Sequence, residues 1–88
     1  MSSPELTPME KFRRALKTLA EEADKEVSEK QAVYGDAWYT VEIDTMCHIL
    51  KNDANRLPMT KDPTILKHRL VDLVSYCAFA WVKLEGSK

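Results

Sequence analysis

Asp62 to Gly86 reads DPTILKHRLVDLVSYCAFAWVKLEG, and this stretch decides the fold. Aspartate followed by proline is a helix start: the carboxylate caps the first free N–H groups, and the ring suits the first helical position. No further proline or glycine interrupts the run until Gly86, a natural terminator. Leu66, Leu70, Leu73, Cys77, Trp81 and Leu84 recur at threes and fours and form one apolar stripe, while Val71, Val74, Ala78 and Val82 form a second. A helix apolar round most of its circumference must be covered round most of it. Lipid is not the expected cover, because Leu70 to Leu84 is too short to span a bilayer and carries Asp72, Ser75 and Lys83. Two neighbouring helices in a chain of 88 residues cannot enclose it alone. The expectation is an all-α, three-helix antiparallel bundle completed by homo-oligomerisation through the third helix.

Upstream of this helix the punctuation defines two others within a single domain, residues 1–88. Thr7-Pro8-Met9-Glu10 has the form of a capping box with proline at the first position. Phe12, Leu16, Leu19, Ala23 and Val27 then share one face, and Gly35 ends the run. The second helix is capped by Asp36 or restarts at Thr40. Ile43, Met46, Leu50, Ala54 and Leu57 are its apolar stripe, and Asp44, His48, Lys51 and Asn55 its wet side. Leu57-Pro58 stops it. The expected helices span about 8–33, 37–57 and 63–85.

Charge and composition exclude several classes of function. The 13 basic and 14 acidic residues leave a net charge of −1, so no global field attracts nucleic acid or an anionic membrane. With 44% hydrophobic and 31% charged residues the chain is built to fold rather than to remain disordered. Cys47 and Cys77 are too few for a disulfide framework and read as reduced core thiols. Met1 to Pro8 is polar and bears proline, unlike a secretion signal, so the expected location is the cytoplasm. The first helix is basic at its start (Lys11, Arg13, Arg14, Lys17) and acidic at its end (Glu21, Glu22, Asp24, Glu26, Glu29), the reverse of what its dipole favours. Pairs at spacing four, such as Glu21–Lys25 and Glu26–Lys30, can knit that face. Antiparallel pairing of two copies, or a metal on the acidic half, are the alternatives.

Candidate chemistry is confined to a few places. His68, Asp72 and Tyr76 fall at spacing four along the third helix, with Phe79 and Lys83 continuing the line, the one polar stripe on the most apolar element. An aspartate there is costly to bury unless paired or ligated, and Arg69 is the nearest candidate partner. The elbow Tyr34-Gly35-Asp36-Ala37-Trp38-Tyr39 crowds three aromatic rings round a glycine hinge, able to stack on a base or to staple the first helix to the second. Lys51 and Arg56 are cations suited to phosphate. Cys47, His48, His68 and Cys77 do not make a zinc site, because Cys47 and His48 point about 100° apart and His68 and Cys77 are roughly 13 Å apart along one axis.

Taken together, Tyr34-Gly35-Asp36-Ala37-Trp38, then Lys51 and Arg56, then Asp72-Leu73-Val74-Ser75-Tyr76 resemble the pattern of the phage nucleotide modification associated domain family. That family is similar to the MazG-type all-α nucleoside triphosphate pyrophosphohydrolases, and the resemblance covers about residues 30–80. It implies a phage-type oligomeric protein of nucleotide biology in the host cytoplasm. Tyr34, Trp38, Lys51, Arg56, His68, Asp72 and Tyr76 are then the expected nucleotide-binding residues, for a nucleotide or a cyclic-nucleotide signal. Sequestering such a signal would make the protein a host-defence antagonist. MazG-like catalysis would need magnesium held by paired acids, here Glu22, Glu26 and Asp72. His68 stands where the upstream acidic partner of Asp72 belongs, which weakens an oxygen-ligand site. The leading expectation is therefore binding without turnover and without a cofactor. A magnesium-dependent pyrophosphohydrolase is the first alternative, and a helical inhibitor or adaptor of a host protein the second. The elbow is expected to reach the middle of the third helix across a subunit boundary.

Overall fold

Thr7 and Glu10 close the capping box that opens the first helix. The Thr7 N–H donates to Glu10 Oε1 at 2.9 Å, and the Glu10 N–H donates to Thr7 Oγ1 at 3.1 Å. The Thr7 backbone N–H, and after it the Thr7 hydroxyl, favour the ionised form and hold the Glu10 carboxyl below its usual pKa. Helix α1 runs Pro8–Tyr34 and ends at Gly35, whose φ of 65° is the left-handed backbone a side chain would disfavour. The computed structural model describes residues 5–86; the expectation for Met1 to Pro4 lies outside the described residues.

After the glycine the chain does not begin α2 at once. Ala37–Thr40 is a 3₁₀ turn, Thr40 Oγ1 folds back to donate to the Ala37 carbonyl, and Val41 and Glu42 are extended. Helix α2 is Ile43–Arg56, so the expected start at residue 37 is corrected by six positions. Neither Asp36 nor Thr40 caps it, since Glu42 holds the N-cap position. A short 3₁₀ turn, Leu57–Met59, follows where Pro58 forbids another helical bond. Helix α3 is Pro63–Gly86, and the Asp62 carboxylate accepts from the Thr64 N–H at 2.8 Å as the motif requires.

Every element is helical and no strand occurs among the described residues. Helix α3 is the axle on which both α1 and α2 pack. Glu26 of α1 lies against His68, and Tyr34 shares a cleft with Phe79, so α1 and α3 run the same way. Lys83 of α3 donates to the Tyr39 carbonyl at 2.7 Å, which sets α2 antiparallel to both. With Glu26 level with Asp72, the start of α3 is level with about residue 17 of α1. The first ten residues of α1 therefore overhang by about 15 Å.

Among the described residues three side chains are buried: Ala23 in α1, Met46 in α2 and Ser75 in α3. The expected stripe of α1 is covered in its second half only, since Phe12 and Leu16 on the overhang are 55% and 53% exposed. On α3 the stripes divide unexpectedly. Asp72, Ser75, Tyr76 and Phe79 face the chain's own cleft, while Leu70, Trp81, Val82 and Leu84 are exposed. Cys47 and Cys77 are free and exposed, not core residues as expected from their apolar surroundings. Cys77 belongs to the outward stripe, and Cys47 adjoins His48 on the wet side of α2. The chain exposes 7402 Å², whereas a compact monomer of its mass exposes about 5,300 Å². Its Cα radius of gyration is 15.6 Å, against about 12 Å for a compact chain of this length.

Met46, at 1% exposure, is the deepest side chain and the peg between α2 and α3. Met46→Ala is expected to cost about 2–5 kcal/mol in urea unfolding. Lys51→Ala on the exposed face should stay within about 0.5 kcal/mol. Equal effects would show that the α2–α3 seam does not depend on this peg.

Candidate functional site

Glu26, Lys30 and Tyr34 recur at spacing four on α1 and so share a face. Opposite them Asp72, Ser75, Tyr76 and Phe79 occupy the inward face of α3. Gly35 turns the chain between these faces and delivers Trp38, so the two helices and the elbow enclose a cleft of about 160 Å³. Gln31 also lines it and donates from its side-chain amide to the Asp36 carboxylate, which braces the turn.

Aromatic packing forms one end of the cleft. Trp38 stacks on Phe79 with ring centroids 4.4 Å apart and planes at 15°. Tyr39 meets Trp38 edge-on at 5.5 Å, and Tyr76 meets Phe79 edge-on at 6.0 Å. The Trp38 indole N–H is buried and has no hydrogen-bond partner among the described residues, an arrangement that costs free energy until an acceptor is supplied. Trp38 thus staples the elbow to α3, not α1 to α2.

Carboxyl groups form the other end. Glu26 Oε1 lies 2.7 Å from His68 Nε2, and Glu26 Oε2 is buried with no partner in the chain. Asp72 lines the same cleft as Glu26. Burial first, and then the hydrogen bond and charge of Asp72, raise the Glu26 pKa above its usual 4.5, with His68 and Lys30 opposing. A ligand that donates to Glu26 would satisfy its buried oxygen. The Tyr76 hydroxyl pKa is also raised, chiefly by burial and then by Asp53 of α2 and Asp72.

Of the residues singled out in the sequence, Tyr34, Trp38, Asp72 and Tyr76 line this cleft together. His68 stands behind it, bonded to Glu26. The elbow meets the middle of α3 within one chain, which corrects the expectation of a boundary-spanning pocket. Lys51 and Arg56 are not brought in: both are exposed on α2, and Arg56 lies 3.8 Å from Asp53. Lys30 is the cation that lines the cleft, and its spacing from Glu26 and Tyr34 was the signal that could have found it. Neither Glu26–Lys30 nor Glu21–Lys25 forms an ion pair, and Arg69 does not pair with Asp72; its Nε is buried without a partner. Among the described residues no three of His, Cys, Asp or Glu gather closely enough to hold a metal ion. Glu22 lines neighbouring grooves and does not join Glu26 and Asp72 in the cleft.

No described helix is long and apolar enough to cross a membrane. No family model, curated protein or solved structure matches the chain.

A raised pKa means that the folded chain holds the Glu26 proton more tightly than the unfolded chain. The resulting stability is fully present below the ordinary carboxyl value of 4.5 and is lost as pH rises through the raised folded value. Glu26→Gln keeps the shape without the titration. The difference in melting temperature between Glu26→Gln and wild type should therefore shift in favour of the variant from pH 4 to pH 7.5. A constant difference would mean that folding does not raise the Glu26 pKa.

Proposed function

We propose that this protein is a phage-type, homo-oligomeric binder of a nucleotide or cyclic-nucleotide signal, which it holds without turning it over. The observation that carries this reading is the pairing, in one cleft, of an aromatic stack with a carboxyl pair. A planar base uses both: Trp38 supplies a flat face, and Glu26 with Asp72 accepts from ring and exocyclic N–H groups. A base acceptor would satisfy the buried Trp38 N–H, and a base donor the buried Glu26 Oε2.

At about 160 Å³ the cleft is smaller than the roughly 300–1,000 Å³ of a drug-sized ligand's site. It suits one ring system, with sugar and phosphate outside and Lys30 the cation at hand. Lys51 and Arg56, the expected phosphate ligands, could take part only from a neighbouring subunit. Self-association through α3 belongs to the same reading, because the outward apolar stripe needs a cover. In this role the protein would remove a signalling nucleotide from circulation in a host cytoplasm.

A MazG-like pyrophosphohydrolase is the second reading, favoured by one feature: Glu26 and Asp72 are adjacent carboxyls on parallel helices. Glu22, its third expected ligand, shares a neighbouring groove with Glu26 but does not line the cleft with Asp72.

Purine and pyrimidine nucleotides and cyclic dinucleotides, titrated against the wild-type chain, test the proposal. Trp38→Ala should weaken binding by about 1–3 kcal/mol, or roughly five- to 150-fold, and Asp72→Ala by a similar amount. Mixing the two variants should restore nothing, because both residues serve the same chain's cleft. Unchanged binding by both variants would end the proposal, and pyrophosphate released in the presence of magnesium would favour the enzyme.

A further inference from the structure

The first halves of α1 and α3 flank a trough of about 950 Å³ that opens beside the outward stripe of α3, lined by Ala15, Leu19, Leu70 and Val71 together with Lys67 and His68. Eleven residues along α3 from Leu70, three turns and so nearly the same face, stands Trp81 at 67% exposure. The trough is therefore an apolar recess, and Trp81 an apolar knob, on one face of one helix. A tryptophan of this kind is the side chain that most often anchors an interface.

We infer that two copies pair through antiparallel α3 helices, each inserting Trp81 into the other's trough between α1 and α3. Setting Leu70 opposite the partner's Trp81 fixes the register and brings Val74 opposite the partner's Cys77. Lys67 and Glu85 lie on the same flank of the outward stripe, and in this register Lys67 falls beside the partner's Glu85. The twofold axis makes that ion pair twice. One helix thus carries a pattern complementary to its own reversed copy, the requirement of an isologous contact.

The area agrees with a second copy as the occupant. The chain's excess exposure is about 2,000 Å², within the roughly 1,000–2,500 Å² each partner buries in an obligate homodimer. With three buried side chains the chain has little core of its own, so its cover must be present whenever it folds. A copy of itself always is. The interface deepens the proposed self-association and rests on that reading; its trough and the cleft share no lining residue, so assembly and nucleotide binding are tested separately.

Disulfide trapping tests the register. With Cys47→Ser removing the other thiol, Val74→Cys should oxidise rapidly to a covalent dimer with the partner's Cys77. Val33→Cys in the same background, on exposed α1, should not. Sedimentation equilibrium tests the charges. Lys67→Glu and Glu85→Lys should each raise the dimer dissociation constant about tenfold, and the double variant should return to within about threefold of wild type. A wild-type monomer at micromolar concentration overturns the inference. So does Val74→Cys crosslinking no faster than Val33→Cys, or a double variant no tighter than the weaker single.

Discussion

Glu26 and Asp72 meet where α1 joins α3, and the rest of the architecture answers to that meeting. Two carboxyls lining one seam are costly to desolvate together without donors. His68 compensates on one side of Glu26 at 2.7 Å. On the other side the helices part to leave the cleft, with an unsatisfied Glu26 oxygen at one end and the Trp38–Phe79 stack at the other. A well-packed apolar pair at these positions would make a more stable helix pair without a site. In the proposed reading, the unpartnered oxygen at this seam is what a donor-bearing ring would satisfy.

Placing the polar stripe of α3 inward determines what happens outside. A helix has one circumference, and Asp72, Ser75, Tyr76 and Phe79 use the part that faces α1 and the elbow. Leu70, Trp81 and Leu84 of the leucine and tryptophan stripe are thereby left exposed, while Leu66 and Leu73 are half-buried. The inversion explains why so few side chains are buried and why the chain is longer and more exposed than its mass requires. In the proposed reading, assembly and binding divide one helix between them, the outer face for a second copy and the inner face for a ligand.

Much of this was legible in the sequence, and the reasons differ by feature. Thr7 with Glu10, Asp62-Pro63 and Gly35 mark boundaries because caps and hinges are local chemistry, decided within four residues. Residues 37–42 misled because Asp36 and Thr40 are good capping types, yet the turn out of Gly35 bends the chain into a 3₁₀ turn first. Periodicity showed the stripes of α3 but not which one faces in, since that depends on what the neighbours offer. For the same reason Cys77 reads as core and is exposed. Lys30 and Gln31 were passed over because no short motif holds them; they reach the cleft only by sharing the α1 face of Glu26 and Tyr34. Lys51 and Arg56 fit the expected chemistry by type and stand on the wrong face of α2.

The chain has two tryptophans, Trp38 in the inward cleft and Trp81 on the outward stripe, and so two indole N–H resonances that report the two faces separately. Titrating ¹⁵N-labelled protein with a purine nucleotide is the most direct measurement of the central claim. The account predicts that the Trp38 indole resonance moves to a saturating limit, as its unpartnered N–H acquires an acceptor, while the Trp81 resonance stays in place. A Trp38 resonance unmoved at millimolar nucleotide, or a Trp81 resonance that moves in its stead, would contradict it.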